Sequence, residues 1–268
     1  MSIKPVSTMF AALHGEFTRH SWRDPVVAEI DAYSLFVARS SALGWLADTA
    51  EYGVGGVWGM NDAGQDSDDG AQLLHRVWFQ VALNDPMAAG QPLPVQAFLA
   101  CAGDVVARMG TLRLQGIQIL LPVEALAPTL SGIDALRSLL VSAGWFADSD
   151  VRLCTQVWAT MDGGQDLSIR TAAPGMFQQL QMIRQDVFVC DSFSFTDDAV
   201  VLQPAIRNEL WSRPSQHRTT FHGTLVEWSL DTLGWLAAFL ASVSSQHGVT
   251  IPLMLTVSRP EGATAPAN

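Results

Sequence analysis

The chain repeats a ten-residue phrase, and this repeat constrains its fold more than any other feature of the sequence. "VWGMNDAGQD" begins at Val57 and "VWATMDGGQD" begins at Val157, one hundred residues later. Over the window Gly44–Asp66, ten of 23 positions are identical at that offset without a gap. Unrelated segments of ordinary composition would match at about 6% of positions. The sequence therefore predicts an internal duplication.

A helical pattern precedes each copy of the phrase, and a β-favouring run leads into it. Apolar residues recur at helical spacing in "DAYSLFVARSSALGWLA" and in "GIDALRSLLVSAGWFA". The runs "GVGGVW" and "VRLCTQVW" then predict strands that end at the shared Val-Trp. Because Asp and Gly favour turns, the Asp-x-Gly-Gln-Asp segments are interpreted as the turns that leave these strands.

Each copy continues with a strand, a helix and a last strand. In the first copy, the strand, helix and last strand are "HRVWFQVALN", "VQAFLACAGDVVARMG" and "TLRLQGIQILLP". In the second copy, they are "HGTLVEWSLD", "DTLGWLAAFLASVSSQHG" and "IPLMLTVSR". The first strand is the least defined: "LHGEFTRH" or "VVAEID" in one copy, and part of "LQGIQILLPVE" in the other. The predicted class is α+β, an internal duplication of a βαββαβ ferredoxin-like unit, with antiparallel sheets and helices on one face. The two sheets could pack back to back or join edge to edge.

The predicted organisation has two repeats. The first covers residues 1–115 and the second covers residues 116–268. The second carries an insertion around 167–219, and its small, Pro-rich tail from about residue 260 is expected to be disordered.

The charge balance bears on the kind of partner. With 15 basic and 26 acidic residues, the net charge is −11, which repels nucleic-acid phosphates and attracts a basic protein. Solubility alone also accounts for such a charge.

No apolar stretch is long enough to span a membrane, and the N-terminus lacks the apolar region of a signal peptide. Cys101, Cys154 and Cys190 lack metal-ligand or disulfide-framework spacing and are interpreted as core residues, so a cytoplasmic location is expected.

Acidic residues of the repeated phrase are the candidate partner-binding residues. They are Asp62, Asp66, Asp68 and Asp69 in the first copy, and Asp162 and Asp166 in the second. Such carboxylates also suit Ca²⁺, which takes six to eight oxygen ligands, but the spacing is not that of an EF-hand and the second copy preserves only two of them. A solvated acidic turn is the simplest interpretation, a partner contact is the functional one, and no metal is expected.

Tryptophans and histidines recur between the copies as well. Trp45, Trp58, Trp145 and Trp158 are predicted to cover the core of each copy, and a ligand pocket or binding hot spot is the alternative. His75 and His222 stand at the start of corresponding strands, where a general base or a haem ligand could lie. A strand-end histidine is the simpler interpretation, because no recurring residue completes a triad. We expect no catalytic residue and no cofactor.

The step "W-[LF]-A-D-[ST]" follows a helix in both copies. On an acidic α+β chain of this length, it resembles what is found in bacterial toxin-immunity proteins. The resemblance implies a cognate toxin, often a nuclease, that is bound by acidic loops.

Three classes of function are compatible with these features. The prediction is a non-catalytic acidic binding protein that neutralises or masks a basic protein partner, since such proteins need surface complementarity and no catalytic motif. The alternative is a small-molecule-binding protein or a cofactor-independent enzyme, with a pocket between the helices and the sheet of a pseudo-dimeric ferredoxin-like fold. A structural or assembly subunit is the third class.

Overall fold

The computed structural model describes residues 7–23, 31–47, 56–67, 74–84, 90–126, 131–195, 202 and 216–260. The strands are β1 (Thr8–Arg19), β2 (Trp58–Ser67), β3 (Leu74–Leu83), β4 (Gly110–Leu121), β5 (Thr155–Asp162), β6 (Phe188–Ser194), β7 (Arg218–Leu225) and β8 (Leu253–Ser258). The helices are α1 (Ala32–Ala42), α2 (Val95–Met109), α3 (Ser131–Ser142), α4 (Ser168–Met182) and α5 (Leu230–Gln246).

All eight strands belong to one antiparallel sheet. Their order is β2-β3-β1-β4-β8-β5-β7-β6, so the first four strands form one half and the last four form the other. Each half runs strand, helix, strand, strand, helix, strand along the chain, and each pairs its strands in the order second, third, first, fourth. The halves join edge to edge where β4 pairs with β8, from Gly116↔Ser258 to Leu121↔Leu253. The predicted α+β class with antiparallel strands is confirmed.

Alternation along the strands separates two faces of the sheet. Met9, Ala11 and Leu13 of β1 pack in the same core as the buried faces of the helices. Phe10 and Ala12 point the opposite way and are also buried. A strand that is apolar on both faces belongs at the centre of a sheet, and β1 lies between β3 and β4.

Helix α5 is the central helix of the core. Its first turn is capped by Ser229, whose side chain accepts the Thr232 N–H at 3.2 Å. It crosses α2 closely at Gly234, where a Cβ atom would lie 2.6 Å from the Cα of Gln96. Although α5 is strongly apolar, none of the helices in the described part of the chain has both the length and the apolar character needed to cross a membrane.

The repeated phrase does not occupy equivalent strands in the two halves. In the first copy the phrase makes up nearly all of β2, the second strand of the first half. In the second copy it begins within β5, the first strand of the second half, and continues past the end of that strand at Asp162. The prediction that "LQGIQILLPVE" opens the second copy is wrong, because these residues complete β4. The expected boundary at 115/116 falls within β4, and helix α3 stands between the halves.

The segment interpreted as an insertion supplies regular elements instead. Residues 167–219 include α4 and β6, which are the first helix and the second strand of the second half. The tail from 261 to 268 lies outside the described residues. Of the three cysteines expected in the core, Cys101 and Cys190 are buried, but Cys154 is exposed.

The turn prediction is wrong in the first copy and confirmed in the second. Asp62–Asp66 lies inside β2 and pairs with β3 up to Asp66↔Arg76, because the ladder hydrogen bonds override the local turn preference. In the second copy β5 ends at Asp162, and Gly164 adopts a positive φ of 64° in the turn that follows. The strands also do not end at the Val-Trp pair, since β2 begins at Trp58.

Candidate functional site

The acidic residues of the repeated phrase lie in two separate places. Strand β2 is at one edge of the sheet, while β5 is the sixth strand in the spatial order. Five strand spacings of about 4.8 Å place the two copies about 24 Å apart. Asp68 and Asp69 lie outside the described residues. The described carboxylates therefore do not form one acidic surface across the two copies.

Asp66 neutralises a buried arginine. Its carboxylate forms a salt bridge with Arg76, which stands directly opposite it on β3. Arg76 is only 4% exposed, and on its other side it stands opposite the equally buried His14 of β1. A buried guanidinium needs a counter-charge, so Asp66 is required by the fold at this position.

The second copy also uses its aspartates internally. Asp162 is buried, accepts the Gly164 N–H at 2.7 Å, and accepts the Arg218 Nε–H at 3.1 Å. Asp166 accepts the Ser168 N–H at 2.7 Å at the start of α4. Asp62 is exposed, and its carboxylate accepts the adjacent Ala63 N–H at 2.9 Å. Among the described residues, no three His, Cys, Asp or Glu side chains come together as metal ligands.

The two histidines stand at different positions in their strands. His222 is the fifth residue of β7 and not at its start, whereas His75 is the second residue of β3, and the His75 side chain lies outside the described part. Ser194 Oγ lies 3.1 Å from His222 Nε2, and the partly exposed Trp158 packs edge-on against the His222 ring. In the described structure no carboxylate bonds to His222, so a Ser-His-Asp arrangement is incomplete there.

The tryptophans of the first copy pack together. Trp58 is fully buried, and its indole N–H donates to Ser40 Oγ at 3.3 Å. Trp45 lies against it, with ring centroids 5.5 Å apart. Helix α1 is followed by Gly44 with φ of 70°, and this left-handed turn directs the chain back so that the Trp58 N–H bonds to the Trp45 carbonyl at 3.2 Å.

Trp145, the counterpart of Trp45, lies in the opposite environment. The prediction that it covers the core is wrong, because 78% of its surface is exposed. The helix that precedes it continues into a 3₁₀ segment, Ala143–Asp148, and Gly144 makes no left-handed turn there. The chain therefore does not fold back, and the indole points to solvent.

Other exposed apolar side chains lie on the segment of the chain that contains Trp145. We define the Trp145 surface as the exposed residues Ile133, Val141, Trp145, Val151 and Leu153. Val141 and Val151 are 77% and 81% exposed, which is unusual for large apolar residues that stand so close along the chain. The sequence contains one sign of this surface, because α3 carries apolar residues on more than one face. A helix that packs on the core through a single face needs apolar residues on that face alone.

The Trp145 surface rests on a firmly packed base. The opposite face of α3 buries Leu136 and Leu139 against α5, and the Trp235 indole N–H donates to the Leu139 carbonyl at 2.9 Å. Phe146 is buried next to Trp145, and Ser149 Oγ donates to Glu227 at 3.3 Å. The exposed side chains are thus held on a scaffold that is already ordered, which lowers the entropic cost of binding.

Acidic groups flank these apolar side chains. Asp148 is exposed on the 3₁₀ segment, and Asp150 precedes Val151. The Arg152 Nε–H is shared between the two carboxylate oxygens of Asp150, at 3.0 and 2.9 Å, and the Arg152 backbone N–H donates to the same carboxylate at 2.9 Å. These bonds hold the pKa of Asp150 below its usual value, so this carboxylate stays ionised at neutral pH.

The interface between helices and sheet is filled by aromatic side chains. The fully buried ones are Phe36, Trp58, Phe79, Phe98, Phe221, Trp235 and Phe239. One described cavity lies between α1 and α2, and another lies where the C-terminal part of α2, the beginning of β4 and the beginning of α5 meet. The aromatic side chains thus fill the middle of the interface, and the second cavity lies at its end.

Comparisons of the chain with protein-family models, with curated proteins and with solved structures give no match.

Proposed function

We propose that the chain is a non-catalytic protein that binds another protein through the Trp145 surface. The observation that carries the proposal is the exposure of Trp145 between Val141 and Val151 on a well-packed base. Tryptophan is enriched among the residues that contribute most of the binding energy at protein interfaces. Exposure of a large apolar surface to water is unfavourable, and such surfaces often mark binding sites. Because these apolar side chains stand on an exposed surface, they favour binding of another protein over the small-molecule alternative.

The proposed partner is a basic protein. The net charge of −11 attracts a basic partner at long range, and Asp148 and Asp150 supply carboxylates beside the apolar contact. Trp145 begins "WFADS", one of the two segments on which the resemblance to toxin-immunity proteins rests. A basic toxin that is neutralised in the cytoplasm is therefore the partner class we propose.

We further propose that the two halves derive from duplication of one ferredoxin-like unit. Each half has the same order of strands and helices, and each pairs its strands in the same order. The repeated phrase runs through β2 in the first half but through β5 and the turn after it in the second, so its identities are a second similarity and not the register of this duplication.

A pull-down with matched variants tests the function. The purified chain is immobilised, exposed to a lysate of the cells that make it, and the retained proteins are identified by mass spectrometry. We expect a basic protein on the wild type and its loss with Trp145→Ser. With the identified partner, calorimetry should show about 30-fold weaker binding for this variant, equivalent to about 2 kcal/mol.

Met182→Ser is the control, because Met182 is 74% exposed and lies on α4, outside the Trp145 surface. It should bind the partner as tightly as the wild type. Equal binding by Trp145→Ser and the wild type, or retention of no basic protein by the wild type, would reject the proposal.

A further inference from the structure

Arginines are concentrated at one end of this acidic molecule. The chain has 15 basic residues in all. Six of them lie near the C-terminal end of α2, the end of β1 and the beginning of β4: Arg19, Arg23, Arg39, Arg108, Arg113 and Arg259. They come from distant parts of the chain, so no basic cluster is visible in the sequence.

A first groove lies between α1 and α2. It has a volume of about 560 Å³. Arg39 and Arg108 stand on its two sides, and apolar residues line it between them: Leu35, Ala38, Ala42, Val105 and Ala107. Arg39 donates to Asp104 at 2.6 Å, but its side chain remains 44% exposed. An arginine has five N–H donors, so this bond leaves others available.

A second groove continues past Ala107, which lines both cavities. It has a volume of about 390 Å³ and includes Leu112, Leu114 and Trp228 in its lining. His20 lines it as well, and its Nε2 donates to the Ala107 carbonyl at 2.9 Å. The two grooves meet at Ala107 and make one path over the end of α2, where Asp104 lines the first groove together with the two arginines and the apolar residues.

Exposed aromatic and cationic groups stand along this path. Trp22 is 71% exposed and stacks on His20, with ring centroids 5.1 Å apart. Arg23 donates to the Arg108 carbonyl at 3.3 Å, next to the first groove. Beside the second groove, the Arg259 guanidinium lies 5.2 Å from the centre of the Trp228 ring.

The arginines at this end act on one another. Burial and the nearby charge of Arg113 lower the pKa of Arg259, as expected where positive charge exceeds its local compensation. Arg113 is 63% exposed and lies 3.4 Å from Glu16. Exposed pairs of this kind contribute little to stability, so a ligand carboxylate can replace the internal partner at low cost.

We propose that these two grooves bind an acidic peptide segment of a partner protein, with apolar side chains on the groove floor and carboxylates on the arginines. Arginine matches a carboxylate in a bidentate geometry, and the apolar floor needs side chains that a nucleic-acid backbone lacks. The net charge of −11 also opposes the approach of a long polyanion. A short carboxylate-bearing peptide meets both conditions.

The two proposed surfaces lie near each other but are independent. Ser149, just after the Trp145 segment, bonds to Glu227, which precedes Trp228 of the second groove. The groove proposal does not require the Trp145 surface to bind anything. Its test uses a defined peptide and different side chains, so each proposal can fail alone.

Fluorescence anisotropy tests the groove proposal with a labelled peptide of alternating Glu-Glu and Leu-Leu pairs. We expect binding by the wild type that weakens as salt is added. In Arg39→Ala/Arg108→Ala, two charge-assisted contacts are lost, and binding should weaken by about tenfold. Arg113→Ala is a second variant, near the other groove, and should weaken binding by about threefold.

The matched control is Arg137→Ala/Arg152→Ala, which changes the net charge by the same amount. Both of these arginines are exposed and paired with acids on α3 and the segment after it. This control should bind the peptide within about twofold of the wild type. No binding by the wild type, equal weakening in the control, or tighter binding of a poly(dT) oligonucleotide or of a Lys-Lys/Leu-Leu peptide would overturn the proposal. Circular dichroism verifies that each variant is folded.

Discussion

Asp66 shows how a single acidic side chain can serve the fold while resembling a binding residue in the sequence. Its partner Arg76 has a side chain that is only 5% exposed, whereas the Asp66 side chain is 35% exposed. Desolvation of the guanidinium is unfavourable, and the carboxylate offsets it. Because part of the Asp66 side chain is exposed, solvent screening weakens the interaction.

Replacing Asp66 therefore tests its structural role. We expect Asp66→Asn to lower the free energy of unfolding by about 2 kcal/mol, because a buried charge loses its counter-charge. Asp62→Asn, on the exposed part of the same strand, should change it by less than about 0.5 kcal/mol. Urea denaturation measures both values, and equal effects of the two substitutions would contradict the structural role.

Trp45 and Trp145 occupy the same place in the repeated sequence and opposite places in the structure. Trp45 packs on Trp58, while Trp145 is 78% exposed. Trp45→Ala should thus reduce the free energy of unfolding by about 2–3 kcal/mol, since it removes packed aromatic surface. Trp145→Ala should leave it within about 0.5 kcal/mol. The two midpoints of urea unfolding provide the measurement, and a large loss in Trp145→Ala would show that this side chain supports the core.

At the scale of the elements, the position of a segment in the sheet overrides its local preference. Asp62–Asp66 has the composition of a turn, yet it forms an edge strand because β3 supplies a full set of ladder partners. Asp162 ends a strand instead, and its side chain holds the turn at Gly164. The same sequence pattern thus gives a strand or a turn according to what lies beside it.

The crossing of α2 and α5 depends on a glycine. A Cβ atom at Gly234 would lie 2.6 Å from the Cα of Gln96, so Gly234→Ala must push the helices apart. We expect it to lower the free energy of unfolding by about 1–3 kcal/mol, despite the better helix propensity of alanine. Gly144→Ala is the control, because no atom lies within 4 Å of its added Cβ. Chemical denaturation of both variants measures the difference, and a neutral Gly234→Ala would refute the close crossing.

At the scale of the whole molecule, the two halves share one sheet and one core. The β4–β8 ladder joins them, and buried residues of both halves belong to the same cluster. Neither half can lose its structure without exposing apolar surface of the other. The uneven charge belongs to this scale too, because arginines collect at one end of a chain with a net charge of −11.

One cooperative unfolding transition is the expected consequence of this shared core. Unfolding curves followed by far-ultraviolet circular dichroism and by tryptophan fluorescence should coincide. Leu255→Ala, at a fully buried position of β8, should shift both curves equally, by about 3 kcal/mol. Two separate transitions, or a shift seen by one probe alone, would indicate that the halves unfold independently.

The sequence by itself determined the type of most elements. Apolar spacing identified the helices around residues 32–42, 95–109, 131–142 and 230–246, as well as the antiparallel α+β class, because side-chain periodicity is a local property. Only the tertiary structure decided which strands pair, whether the tryptophans of the repeat are buried, and where the arginines gather. Trp45 and Trp145 follow similar helices, and what separates them is the left-handed turn at Gly44 and the strand onto which it folds. Arg39 and Arg108 face one groove because α1 packs beside α2, and Arg259 reaches β4 because β8 pairs with that strand. Electrostatic forces act through space between residues that are far apart along the chain.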